Sequence, residues 1–166
     1  ERAAARADFA CDPARYHLML EELGVLLSHE EMVLGEMPET VKIAIQDINV
    51  NTESLDIELR GYQEFAARFA LVQKKTLLGD EAGLGKTVVA LAVFAHLEAE
   101  ATGETPLFLV VCPPSDVAKW VREVETKSDL QAHALVGAAR QDAFEEWRKN
   151  GGVGVTTYGM LPSLEP

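Results

Sequence analysis

The sequence predicts an α/β fold: a parallel sheet joined by helical crossovers, preceded by a mainly helical N-terminal segment. Three observations carry this. From residue 59 onward, short aliphatic runs alternate with stretches of helix length. The glycine-rich stretch GDEAGLGKT, Gly79 to Thr87, sits between one such run and an apolar helix. The composition, 48% hydrophobic and 25% charged over 166 residues, is that of a soluble globular chain with a core to bury.

The elements follow in order. PARYHLMLEELGVLLS, Pro13 to Ser28, has apolar residues at helical spacing and a proline at its start, so it reads as a helix. VKIAIQ, Val41 to Gln46, alternates and reads as a strand. Residues 1–58 carry no recognisable chemistry and are taken as an N-terminal packing segment or the end of a preceding domain; residues 59–166 form the second region. There, YQEFAARFALV places Tyr62, Phe65, Ala66 and Phe69 on one helical face. A short strand at Thr76–Leu78 should lead into the glycine-rich loop, and TVVALAVFAHLEAE, Thr87 to Glu100, suits a helix buried against a sheet. PLFLVVC, Pro106 to Cys112, reads as a parallel strand covered on both faces. SDVAKWVREVE is a helix with Ser115 as its cap and Val117, Trp120, Val121 and Val124 on one face. AHALV is a short strand, AARQDAFEEWRKN a helix closed by Asn150, Gly151 and Gly152, and VGVTTY, Val153 to Tyr158, a last strand. Trp120 and Trp147 read as core residues, and Tyr62 as core rather than ligand.

The glycine-rich loop has the context that phosphate binding needs. Successive backbone N–H groups can wrap a β-phosphate, and the helix beginning near Lys86 adds its positive end. Gly83 and Gly85 permit close backbone approach. Lys86 would reach the β- and γ-phosphates, and the Thr87 hydroxyl would ligate Mg²⁺. In the general pattern G-x-x-x-x-G-K-[ST] the first glycine falls at position 80, which here is Asp80. The DEAG tetrad, Asp80 to Gly83, lies inside this loop and is not a separate metal-binding box.

Four stretches together resemble the first RecA-like lobe of Swi/Snf-type ATPases, a branch of the superfamily II helicases. LRGYQ, Leu59 to Gln63, is similar to the family's adenine-recognition motif. GDEAGLGKT is similar to its phosphate loop, D-E-x-G-L-G-K-T, in which Asp80 and Glu81 are expected. LVVCPPSDVAKWVREVE, Leu109 to Glu125, and VGVTTYGML, Val153 to Leu161, are similar to its next two motifs. The resemblance spans Leu59 to Leu161 and implies a P-loop NTPase half-domain that uses ATP and Mg²⁺. It assigns Lys86 and Thr87 to catalysis and Mg²⁺, and Arg60, Gln63, Asp80, Glu81, Gly83, Leu84, Gly85, Lys86 and Thr87 to the nucleotide. The Gln63 amide can donate and accept at once, which matches the N6 and N7 edge of adenine. Arg60 either lies near the nucleotide or pairs with an acid. Pro113, Ser115, Thr156, Thr157 and Tyr158, at the carboxyl ends of strands, would touch the DNA backbone; for Thr156 and Thr157 strand propensity is the competing explanation. Arg140 meets a phosphate or simply begins a solvated helix.

The implied parent is an ATP-dependent translocase on double-stranded DNA. The family's Asp-Glu-x-His motif does not occur within the 166 residues, nor does a second RecA-like lobe with its arginine finger. Since an arginine finger alone is worth about 10³–10⁵ in rate, the fragment should bind nucleotide weakly and turn over little. A sheet cut short should leave its last strand unpaired on one side, an invitation to self-association. Another P-loop NTPase or kinase without DNA dependence, and a non-catalytic nucleotide-fold interaction module, remain as alternatives.

The net charge of −12 argues against a general nucleic-acid coat but leaves room for local phosphate contacts through N–H groups and hydroxyls. No apolar run is long enough for a membrane span, and the N-terminus lacks the apolar core of a signal peptide. Cys11 and Cys112 have no metal-ligand spacing and read as free thiols of a reducing compartment. The expected location is cytoplasmic, at the nucleoid in a bacterium, or nuclear in a eukaryote.

Overall fold

A computed structural model describes residues 37–80, 83–103 and 105–163, together with Met19. The helix expected over Pro13–Ser28 (Met19 apart), Cys11 and Glu81 lie outside these residues. The chain divides into two compact units. One contains the described residues up to Asn49 and Leu59–Val89; the other contains Val50–Glu58 and Ala90 onward.

In the first unit, helix α1 is Glu39–Asp47 and helix α2 is Gly61–Gln73, and the two pack together. The strand expected at Val41–Gln46 is therefore helical. Its alternation is also compatible with a helical stripe, because Val41 and Ile45 lie one turn apart. Pro38 begins the helix, its carbonyl accepting from the N–H groups of Val41 and Lys42 at 2.9 and 3.2 Å, and Glu39 favours the positive end. Ile45 is fully buried while Ile43 faces out. On α2 the buried residues are Gln63, Phe65, Ala66 and Ala67, and Phe65 and Phe69 lie 6.4 Å apart between ring centres. The helix stops at Lys74, which is left-handed with φ 60° and donates its N–H to the Ala70 carbonyl.

The strand expected at Thr76–Leu78 does not form. A strand needs a ladder partner, and among the described residues this segment has none; Leu77 is 93% exposed. The segment instead borders a cleft of about 370 Å³ lined by Phe65, Ala66, Phe69 and residues 76–80.

Helix α3, Lys86–Ala99, begins in the first unit and continues into the second. The second unit is built on a three-stranded parallel sheet of β1, Leu107–Cys112; β2, Ala132–Ala134; and β3, Gly152–Thr157. Helix α4 is Val117–Lys127 and helix α5 is Arg140–Asn150. The order is β1-β3-β2, with Leu107 opposite Gly152 and Ala132 opposite Val153. The last strand is thus central and paired on both sides. Among the described residues the edges of the sheet are β1 and β2, so the expected unpaired last strand is not found.

Position in the sheet also decides burial. All of Gly152–Thr156 is buried, as a continuous apolar run in a central strand should be. On β1, Phe108, Val110 and Cys112 are buried, but Leu107 and Leu109 are 47% and 42% exposed. The strand covered on both faces is therefore β3, and β1 is covered on one. The core joins Phe108, Val110, Val153 and Val155 to Leu91, Val117, Val124 and Leu130. Phe94 stacks on Phe108 at 4.6 Å. Trp120 packs against this cluster, and Trp147 is buried with its indole N–H donating to the Gly152 carbonyl at 3.0 Å.

Two boundaries have local causes. Gly151, with φ 80°, closes α5 by donating its N–H to the Trp147 carbonyl at 2.8 Å. Ser115 does not cap α4; it lies exposed within a 3₁₀ turn, Pro114–Asp116, which Pro113 starts by accepting the Asp116 N–H. Residues 50–58 join this unit through an antiparallel bridge between Leu55 and Ser128, flanked by Asp56 N–H to the Lys127 carbonyl and Asp129 N–H to the Ser54 carbonyl.

Candidate functional site

The loop from Gly79 to Thr87 turns through two left-handed glycines, Gly83 at φ 95° and Gly85 at φ 80°, before α3 starts at Lys86. Side-chain-bearing residues pay a steric penalty in that region, so glycine is required for this path. The Lys86 ammonium spans the loop and donates to the Asp80 carbonyl at 2.7 Å. A carbonyl oxygen is a weaker partner for an ammonium than a phosphate oxygen. The lysine is thus held across the mouth of the loop by an acceptor that a phosphate can replace. Thr87 is half-buried in the first turn of α3. Left-handed glycines, a helix N-terminus and a Lys-Thr pair form a donor set that fits a nucleoside di- or triphosphate with Mg²⁺.

The start of α2 converges on the same loop. Gln63 is 6% exposed, and both ends of its amide are engaged. Its Oε1 accepts from the Arg60 N–H at 3.0 Å, holding the first turn of α2. Its Nε2 donates to the Leu84 carbonyl at 3.2 Å and to Tyr62 Oη at 3.4 Å. The Tyr62 hydroxyl donates to the same Leu84 carbonyl at 2.9 Å. A Cβ on Gly85 would land on Gln63 Nε2, so this glycine is fixed by close approach as well as by its φ. Arg60 is exposed at the N-cap of α2. The structure therefore brings Arg60, Gln63, Leu84 and Gly85 together, and Asp80 with Lys86. It adds Tyr62, which sequence periodicity assigned to the core. Only its place beside Gln63 in LRGYQ hinted otherwise.

The residues expected to meet a DNA backbone lie in the sheet unit. Cys112 pairs with Thr157, so Pro113 and Tyr158 leave the same carboxyl edge of the sheet. Pro113 and Ser115 are exposed, Tyr158 is 69% exposed and Thr157 is half-buried. Thr156 does not reach that surface: it is fully buried and its hydroxyl donates to the Leu135 carbonyl at 3.2 Å. β3 is covered on both faces, so Thr156 is buried even though it alternates with the core residues Val153 and Val155. Arg140 is the first residue of α5 and half-buried. The Cys112 thiol is free, and burial, then the nearby Asp116, pushes its pKa up, which makes it an inert core thiol rather than a nucleophile. Among the described residues no cluster of His, Cys, Asp and Glu could hold a metal ion, and no helix is long and apolar enough to cross a membrane.

Comparison with known proteins gives the family. The family model of the SNF2-related domain matches residues 22–165. The chain is 32% identical over 109 residues to the "Putative ATP-dependent helicase/translocase YwqA" of Bacillus subtilis, covering 61% of the chain and 12% of that protein. It is 33% identical over 133 residues to the "TATA-binding protein-associated factor BTAF1" of Arabidopsis thaliana, covering 70% and 6%. It is 42% identical over 74 residues to the "SWI/SNF-related matrix-associated actin-dependent regulator of chromatin subfamily A containing DEAD/H box 1" of Xenopus tropicalis, covering 42% and 7%. The chain thus spans about a tenth or less of the length of these relatives. With most of its length matched, the chain belongs to the SNF2-related domain family, and its parallel sheet with flanking helices is part of a RecA-like α/β lobe.

Proposed function

We propose that this chain is the ATP-binding part of the first lobe of an ATP-dependent translocase acting on double-stranded DNA. The observation that carries the reading is the loop from Gly79 to Thr87, with its left-handed glycines and the Lys86 ammonium held across it. Bound ATP–Mg²⁺ would supply the phosphoryl group whose transfer to water drives the cycle. Lys86 and the loop amides would hold its phosphates, Thr87 its metal ion, and Gln63 its adenine edge. Pro113, Ser115, Thr157 and Tyr158 would meet one DNA strand through its phosphates, positioning it without reading sequence. Support for DNA as the substrate comes from the names of the relatives, a helicase/translocase and a chromatin regulator among them.

The test is titration of a fluorescent ADP analogue with Mg²⁺ into the chain and into Lys86→Ala, with competition by ATP and GTP. Loss of a charged hydrogen bond predicts affinity lower by about tenfold or more in Lys86→Ala, with ATP the better competitor. Equal binding by both proteins would overturn the assignment of the loop. ATP hydrolysis by the 166-residue chain is expected to be near background. In a full-length parent, hydrolysis should rise on adding double-stranded DNA, and a rate indifferent to DNA would remove the translocase reading.

A further inference from the structure

We infer that Tyr62 is a positioning residue of the phosphate loop, acting through the carbonyl of Leu84. This rests on the reading of that loop as a nucleotide site and adds a group to it. A carbonyl oxygen has two lone pairs, and here both have a donor: Tyr62 Oη at 2.9 Å and Gln63 Nε2 at 3.2 Å. Both donors come from the first turn of α2. The peptide unit that carries the Leu84 carbonyl also carries the Gly85 N–H. The unit is planar and, like every peptide bond described, not cis, so its carbonyl and N–H point in opposite directions. Drawing the carbonyl toward α2 aims the Gly85 N–H away from α2. That N–H belongs to the row of loop amides that would wrap a β-phosphate.

The two donors are not equivalent. Gln63 also closes the first turn of α2 through the Arg60 N–H, and its amide is the group suited to an adenine edge. If Gln63 turns its amide toward a base, its bond to Leu84 is lost. Tyr62 has no such second duty and makes the shorter bond. It keeps the Leu84–Gly85 peptide oriented while Gln63 reads the base. The ligand class affected is therefore the pyrophosphate portion of any nucleotide, whatever its base.

The variant is Tyr62→Phe, which keeps the ring and removes the hydroxyl. In the nucleotide-free protein, labelled with ¹⁵N, the Gly85 amide resonance should move, because its own peptide carbonyl loses a donor. With Mg²⁺, affinity for ADP and for GDP should fall together by about three- to tenfold, the loss of one hydrogen bond. The ADP-to-GDP ratio should stay at the wild-type value, and the melting temperature should fall by no more than about a few degrees. An unmoved Gly85 resonance overturns the proposal, even if the wild-type chain binds no nucleotide. So does unchanged ADP affinity in a protein that binds, or an altered ADP-to-GDP ratio, which would put Tyr62 on the base. Lys86→Ala run alongside separates the two ideas: wild-type binding in that variant removes the nucleotide site itself, whereas a Tyr62→Phe failure with an intact Lys86 effect removes only this role.

Discussion

The sheet unit and the phosphate-loop unit satisfy their backbone groups by different means. In the sheet unit β3 is paired along both sides, so backbone meets backbone, and its side chains are left free to build the core. In the loop unit the segment before the loop has no ladder among the described residues. Within the loop itself two carbonyls are met by side chains: Leu84 by Tyr62 and Gln63, Asp80 by Lys86. A ladder tolerates most substitutions that preserve size and burial. A side-chain latch depends on one residue, and those residues are the ones the proposed chemistry needs. Order in the sheet is thus distributed, while order in the loop is concentrated in a few groups that a ligand can recruit.

The largest expected effect lies in the sheet. Leu135 is fully buried against the face that carries Gly154 and the Trp147 ring, so Leu135→Ala should cost about 2–5 kcal/mol. Both tryptophans, Trp120 and Trp147, belong to this unit, so urea unfolding followed by tryptophan fluorescence reports it directly. A cost under about 1 kcal/mol would mean that the packing here is not the source of its stability. Next comes the loop. Gly85→Ala places a side chain at φ 80° and on top of Gln63, a backbone strain of about 1–3 kcal/mol. The contrast between the units predicts that nucleotide affinity collapses while the tryptophan transition stays near wild type; a transition that falls equally would erase the contrast. Trp147→Phe removes the indole donor to the Gly152 carbonyl and should cost about 1 kcal/mol by the same urea measurement.

The smallest effect is electrostatic. Burial, and then the charge of Asp129, raises the Glu98 pKa above its ordinary 4.5. A carboxyl whose folded pKa is raised favours the fold fully below the unfolded value, and that contribution is lost as pH rises through the raised one. Glu98→Gln should therefore shift the urea midpoint upward at neutral pH, with the difference closing below about pH 4.5. Glu98 keeps much solvent contact, so the shift is modest. A variant less stable than wild type at neutral pH would reverse the assigned sign.

How much of this was legible in the sequence differs between the same two regions. PLFLVVC, AHALV and VGVTTY all form strands where their composition placed them, because aliphatic runs between helix signals have few other uses. The order of those strands was not legible. Nothing local in VGVTTY distinguishes a central strand from an edge one, and the reading that left it unpaired failed for that reason. VKIAIQ failed because six alternating residues also fit one face of a helix, and the deciding neighbour, Pro38, lies just outside the window. Thr76–Leu78 failed because a strand is defined by its partner, which residue type does not supply. In the site, the glycines and Lys86 were visible through a motif, and the left-handed φ values of Gly83 and Gly85 fit the close approach it calls for. The Tyr62–Leu84 bond was not, since a carbonyl acceptor leaves no mark on the identity of its residue. The burial of Thr156 follows from the central place of β3, which only the pairing shows.

The central place of β3 bears on how the chain assembles as it is synthesised. Among the described residues β1 and β2 are not paired with each other; in the sheet each pairs with the strand that leaves the ribosome after both. Until residues near Thr157 emerge, Phe108, Val110 and their neighbours have no sheet to join, and closing it requires long loops from both sides at once. Sheet formation in this unit is therefore a late, all-or-none event rather than a strand-by-strand accretion. Until β3 emerges, the nascent chain carries these apolar runs unpaired, the interval in which a chaperone or a like chain would find them.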